Sequence, residues 1–241
     1  MRKSAILILL ITLLLIAVPA SQTTFAQGDG EYSVDIDPAN FVDVVDNPYF
    51  PRLPGMRWVY EGQTEDGEVE HVEIEVLSDT REVMGVQVTI MRDTVSVDGE
   101  VVEDTYDWFA QDVDGNVWYF GEEVSDFEDG ELVSNAGSWE AGVDGALPGI
   151  VMYGDPEAHA RMPYYQEYYP GEAEDSAILL NTTAQVTVPA GEFEDVVLTY
   201  DWNPLEDESH EIKYFAPGVG EVKSIDLITG EIVELIEYSA S

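Results

Sequence analysis

The chain lacks cysteine, is poor in basic residues, and has one long apolar run, at its N-terminus. Its 241 residues include no Cys, 9 Lys+Arg and 3 His, against 50 Asp+Glu. Without Cys there can be no disulfide scaffold, thiolate zinc site, cysteine nucleophile or lipid-anchored N-terminal Cys. The shortage of base argues against nucleic acid as a partner, because phosphates need cationic contacts, and equally against docking on anionic lipid. The net charge is −41 at pH 7, yet 45% hydrophobic and 11% aromatic residues are too many for a disordered acidic tail. The composition is that of a folded protein with a core.

The N-terminus has the three parts of a secretory signal peptide. Met1-Arg2-Lys3 is a basic n-region, Ala5 to Val18 is an uncharged run with Thr12 as its one polar residue, and Pro19 ends it before Thr24-Phe25-Ala26. The run falls short of the roughly 20 residues of a spanning helix. This predicts cleavage after residue 26 and an extracytoplasmic protein, secreted or associated with the cell envelope, without an integral membrane segment. Cleavage removes Arg2 and Lys3 but no acid, so the net charge becomes −43. Most carboxylates then have no basic partner and must be solvated, screened by salt, or bridged by cations.

After a linker and extended lead-in at 27–54, a single β domain is expected over 55–241. The lead-in carries four prolines within Asp35–Pro54 and should cross the surface with Phe41, Tyr49 and Phe50 tucked onto the body. Asp-Gly pairs at Asp66-Gly67, Asp98-Gly99, Asp114-Gly115, Asp129-Gly130 and Asp144-Gly145 fit hairpin turns whose central residues need positive φ. Between the turns, segments such as His71-Val72-Glu73-Ile74-Glu75-Val76 alternate apolar and polar at period two. No long stretch has helical period. The predicted fold is all-β, an antiparallel meander curling into a curved sheet or barrel.

Short strings recur at nearly constant offset. Tyr60–Asp66 (YEGQTED) resembles Tyr169–Asp175 (YPGEAED), and Phe109–Val117 (FAQDVDGNV) resembles Phe215–Val222 (FAPGVGEV). An internal duplication would place copies near 56–120 and 165–225, with an insertion at 121–164.

Several motifs together resemble an uncharacterised family of exported microbial proteins. They are Asp46-Asn47-Pro48-Tyr49-Phe50-Pro51, Asp107–Asp112 with Gly115–Glu122, and Gly137–Gly145. Val188–Phe193 and Tyr214–Lys223 are similar to a wider set of extracytoplasmic lipocalin-like or lipoprotein-carrier half-barrels. The first resemblance implies no activity. The second implies a concave sheet able to hold an apolar ligand.

Candidate chemistry is sparse. Asp112, Asp114, Asn116 and Glu123 imitate a calcium loop, but its sixth position is Val117 where the sharp turn needs Gly, so Asp114-Gly115 fits a hairpin better. No cofactor is expected, calcium being the one candidate. The three His have no ligand-like spacing, and no Gly-x-Ser-x-Gly or phosphate loop is present. Aromatics cluster at Trp108-Phe109 with Trp118-Tyr119-Phe120, and at Tyr164, Tyr165, Tyr168 and Tyr169. Alternation splits Trp108 from Phe109, and Tyr119 from Trp118 and Phe120, so aromatics occupy both faces of the sheet. Rings that do not fill the core could stack on sugars or line an apolar cavity. The candidate ligand-binding residues are therefore Trp108, Trp118, Tyr119, Tyr164, Tyr165 and Tyr168.

The leading expectation is a non-enzymatic binding or envelope-associated protein for a hydrophobic or glycan ligand. One alternative is a structural or adhesive surface protein stabilised by divalent cations. The other is a secreted hydrolase using two carboxylates, which a buried acid pair beneath a cleft would support.

Overall fold

Alternating β-branched residues and positive-φ turns fold the chain into one antiparallel sheet that curls almost into a barrel. A computed structural model describes residues 32–64, 66–206 and 209–240. The proposed signal peptide, its cleavage site and residues 27–31 lie outside the described residues.

The lead-in makes a short 3-10 turn at Pro38–Asn40 and a two-residue strand β1 (Phe41–Val42) against the edge of β5. Five long strands follow as a meander: β2 (Arg57–Gln63), β3 (Val69–Val83), β4 (Val86–Val97), β5 (Glu100–Asp112) and β6 (Val117–Glu128). Then come β7 (Glu131–Ser134), β8 (Trp139–Glu140) and β9 (Leu147–Met152), all pairing with β6. After a short segment of β10 (Pro163–Tyr165) and β11 (Glu167–Tyr168), a second meander runs through β12 (Ser176–Val188), β13 (Gly191–Trp202), β14 (His210–Ala216), β15 (Gly220–Asp226) and β16 (Ile232–Ser239). β16 pairs with β2, which joins the two meanders. Residues 121–164 are thus part of the wall, since they supply the second half of β6 and all of β9.

Three of the expected Asp-Gly pairs, at 98–99, 129–130 and 144–145, have positive φ at both residues, whereas at Asp114-Gly115 the glycine alone is positive, at 84°. At Asp98-Gly99 and Asp129-Gly130 the angles are 50° and 85°, and 51° and 78°, as a two-residue hairpin requires. The β3–β4 turn has the same geometry at Met84-Gly85, with φ of 51° and 80°. Its first residue carries no turn signal.

The two ends of the sheet are joined by one stretch of chain. β10 pairs with β12, and β11, one residue later, pairs with β9. Residues 163–168 therefore act as a strap between the last strand of one meander and the first of the other. Pro163 sits at the start of this strap, where a missing N–H is tolerated. Gly149 of β9 is required at the crossing. A Cβ there would lie 2.4 Å from the carbonyl carbon of Gln166.

One end of the barrel is plugged. The Asp46–Pro51 motif turns between Val45 and Arg52, which bridge each other, and drives Phe50 and Arg52 inward. Asn47 is buried and ties this plug to the wall: its N–H donates to Gln111 Oε1 at 2.7 Å and its side-chain amide to the Gly115 carbonyl at 2.8 Å. Gly218 N–H donates to the Pro48 carbonyl at 2.6 Å. The segment thus enters the core, beyond the surface crossing expected for it, because Phe50 finds Phe109 and Phe215 at ring separations of 5.1 and 6.3 Å.

Candidate functional site

The inward faces of β2 to β6, β9 and β13 to β16, with the strap and the plug, line a half-open cavity of about 400 Å³. That lies within the range of small-ligand pockets. Its floor holds Phe50 and Arg52, and its walls carry Tyr60, Phe109, Tyr119 and Phe215. Phe109 and Tyr119 stack across β5 and β6 with centroids 4.8 Å apart. Toward the far ends of β3, β4 and β14 the wall continues through Glu70, Val95 and Glu211.

What sets this cavity apart is its charge. Eight carboxyl groups line it, from Glu70, Asp93, Asp107, Glu167, Asp175, Asp201, Glu211 and Glu221, with two cations, Arg52 and Lys213. The Arg52 guanidinium lies 3.7 Å from the centroid of Phe50 and 4.8 Å from that of Trp58, so aromatic faces replace much of its hydration. Burial lowers its pKa to about 10, which leaves it charged at neutral pH. Lys213 Nζ is 3.0 Å from Glu211 Oε2 and 3.9 Å from Asp201 Oδ2. Burial opposes its charge, but Glu211 and Asp201 outweigh that and hold it well above its usual value.

Most of these acids hold their protons more tightly than usual, because burial penalises the charged form. Burial, then the charge of Asp175, raises Glu167 to about 9. Neighbouring Glu122 is raised to about 8 by burial and by Asp107. Glu221 reaches about 7 through burial, with Lys213 opposing. Asp107 rises only to about 6, because the Tyr119 hydroxyl donates to it at 2.6 Å and Arg52 is near. Asp93 is raised well above the ordinary range by burial and by Asp107. Glu167 and Asp175 are close enough for one proton to serve both. Asp93 Oδ1 and Asp201 Oδ1 are enclosed with no hydrogen-bond donor among the described residues.

The six aromatic candidates separate. Tyr119 is on the cavity wall. Trp108 is 4% exposed on the opposite face of β5, under the Arg81 guanidinium at 4.0 Å and in a cluster with Phe120 and Trp139. Trp118 is half-buried against Phe41, and its indole N–H donates to Asp112 at 2.9 Å. Tyr164 lies in the core with Phe50 and Phe109. Tyr165 and Tyr168 pack edge-on with each other and with Tyr32, whose hydroxyl donates to the Pro148 carbonyl. Aromatic residues do occupy both faces of β5 and β6, and both faces are covered: one by the plug, the other by β1, β8 and the turn after β8.

Asp112 is used up as a turn organiser. Its carboxylate accepts from the N–H groups of Asp114 and Asn116, from the Asn116 amide and from Trp118. Glu123 is exposed. Among the described residues, no three His, Asp or Glu side chains are grouped to hold a metal ion. His71 lies beside Glu73, while His159 and His210 stack on Tyr153 and Tyr200.

The buried acids were missed by sequence reasoning. Asp93, Asp107 and Asp201 sit in strands at inward parity, a signal that alternation carries once one neighbour's facing is known. Fifty acids hide it.

No family model matches the chain, and no curated protein does. Solved structures that match include a protein inferred to be exported, with a YmcC-like fold, from Bacteroides fragilis. It is 15% identical with a TM-score of 0.46, over 80% of this chain and 99% of that one. Another is an inferred lipoprotein from Parabacteroides distasonis, 14% identical with a TM-score of 0.37, over 82% of this chain and 100% of that one. Similarity at this level says nothing of ligand or activity. Among the described residues, no helix is long and apolar enough to cross a membrane.

Proposed function

We propose that this chain is an exported, non-enzymatic protein that binds a small ligand inside its barrel. The observation that carries this reading is the cavity of about 400 Å³, walled by aromatic rings and by carboxyl oxygens without protein partners. A space that served packing alone would be filled with side chains. The signal-peptide pattern supports the extracytoplasmic location. The mixed wall favours a ligand with both polar and apolar surface over a purely aliphatic one.

Val95 lines the cavity away from the plug, and Val95→Trp would project an indole into it and obstruct it without adding charge. Native mass spectrometry of protein from its own host should show a retained small molecule that the V95W variant lacks, with an unchanged β-type circular dichroism spectrum. Retention of the same mass by a folded V95W variant would refute cavity binding.

The hydrolase reading keeps one supporting observation, the enclosed Glu167–Asp175 pair. Release of products from a glycan library, lost in Glu167→Gln, would favour it over simple binding.

A further inference from the structure

We infer that the barrel cavity selects an organic cation, a small amine with an apolar stem, as its ligand. This rests on the proposal that the cavity is the binding site, and adds the chemistry of the occupant. Acid excess alone would say little, since the whole chain is acidic. The difference lies in placement. Asp201, 5% exposed, lines the cavity with its Oδ2 taking the Gln166 amide at 3.1 Å and its Oδ1 without a donor among the described residues, and Asp93 Oδ1 is likewise enclosed without a donor. An acceptor enclosed without a donor is costly, and a ligand N–H would satisfy it.

Three further observations favour an ammonium group over a metal ion or a neutral sugar. Around the strand order, Asp93 of β4 and Asp201 of β13 are six steps apart in either direction, counting the strap as one stave. The unpartnered acceptors therefore stand on opposite walls. That fits an extended ligand with cationic ends and agrees with the absence, among the described residues, of a compact metal-ligating group. Second, the stem between those ends would meet Phe109, Tyr119 and Phe215. Third, the cavity already holds a cation in this manner, because Arg52 is lodged over Phe50 and Trp58, with the charges of Glu221, Asp107 and Asp93 acting on it from nearby. Aromatic faces and distributed carboxylates can thus replace water around positive charge here.

The test uses cadaverine, a five-carbon diamine, against its neutral analogue 1,5-pentanediol, by calorimetric titration in 1 M NaCl. At that salt the Debye length is about 3 Å, so the acidic exterior is screened far more than the interior. Cadaverine should saturate at one per chain, with no binding of pentanediol at the same concentrations. Asp201→Asn and, on the opposite wall, Asp93→Asn should each weaken cadaverine at least tenfold. Exterior Glu192→Gln should leave it unchanged, and Val95→Trp should abolish it. The cation inference falls if pentanediol binds as tightly as cadaverine, or if E192Q weakens binding as much as D201N and D93N. It falls alone if the host-derived ligand is still lost in V95W. If V95W loses neither the host-derived ligand nor cadaverine, the cavity reading falls with it.

Discussion

Asp104 and Asp107 lie three residues apart on β5, on opposite faces of the sheet. Asp104 accepts two hydrogen bonds from the Arg92 guanidinium, at 2.7 and 2.9 Å, on the outer surface. Asp107 faces inward, is 8% exposed, and takes its hydrogen bond from Tyr119. The same contrast separates the arginines, with Arg92 in water and Arg52 between rings. Identical side chains thus do different work according to strand parity. Outside, charge is hydrated and contributes solubility. Inside, it is desolvated, so each charge matters for stability and for whatever enters the cavity.

Among single substitutions, the largest effect should come from the inner arginine. Arg52→Ala removes a desolvated cation stacked on Phe50 and Trp58 and leaves a void beneath eight carboxyl groups. A desolvated cation–π contact is worth about 2 kcal/mol, and the lost packing adds to it. Urea unfolding at pH 7 should show a loss of about 3 kcal/mol. Arg52→Met, which restores volume without charge, should recover part of it. A change within about 0.5 kcal/mol for R52A, the scale of an ordinary surface substitution, would erase the distinction between the two faces.

Much of the wall was legible in the sequence, and the reason is local. Hairpin turns at Asp98-Gly99 and Asp129-Gly130 depend on two adjacent residues, and alternation from His71 to Val76 depends on six. The plug and the strap were not legible in the same way. Phe50 and Arg52 find their place by meeting Phe109 and Phe215, from strands about 60 and 165 residues along the chain. The strap works because Gly149 admits the backbone of Gln166, a contact no local pattern announces. The β3–β4 turn at Met84-Gly85 was hidden because Met has no intrinsic preference for positive φ; tertiary pairing imposes it. Of the candidate site, Tyr119 was readable as one ring among several. Its partner Asp107 was not, because an inward acid breaks the rule that alternation uses to assign faces.

The pH dependence sharpens the comparison next. Glu167, Glu122, Glu221 and Asp107 have folded-state pKa values of about 9, 8, 7 and 6, against an ordinary carboxylate value near 4. Between that value and the folded one, the native state binds the proton and the unfolded state does not. Stability from these groups is therefore fully present below about pH 4 and is lost as pH rises toward 9. The slope is about 1.4 kcal/mol per pH unit for each proton by which the two states differ. Outer Glu73 works the other way. The hydrogen bond from Arg57 lowers its pKa, so its contribution is lost as pH falls. Repulsion among surface acids also weakens the fold at high pH, but salt screens it. In 1 M NaCl, urea midpoints should still decline from pH 5 to pH 9. Glu167→Gln should flatten the upper part of that decline while matching the parent below pH 6. A profile in high salt that stays level, or an unaltered slope in E167Q, would mean the inner carboxyls titrate like outer ones.

The smallest effect belongs to the outer pair. Arg92→Ala breaks a two-pronged contact with Asp104, the kind of geometry that on paper ranks among the strongest ion pairs. Arg92 is nonetheless 44% exposed, so water and salt compete for both groups and the side chain loses rotamer freedom to hold the geometry. The expected loss is about 0.5 kcal/mol in dilute buffer, falling toward zero in 1 M NaCl, as for exposed pairs generally. The R52A loss should survive the same salt, since ions do not reach a guanidinium packed between rings. If R92A and R52A responded alike to salt, Arg52 would have to be in contact with solvent, and the cavity floor would be open water instead of packed protein.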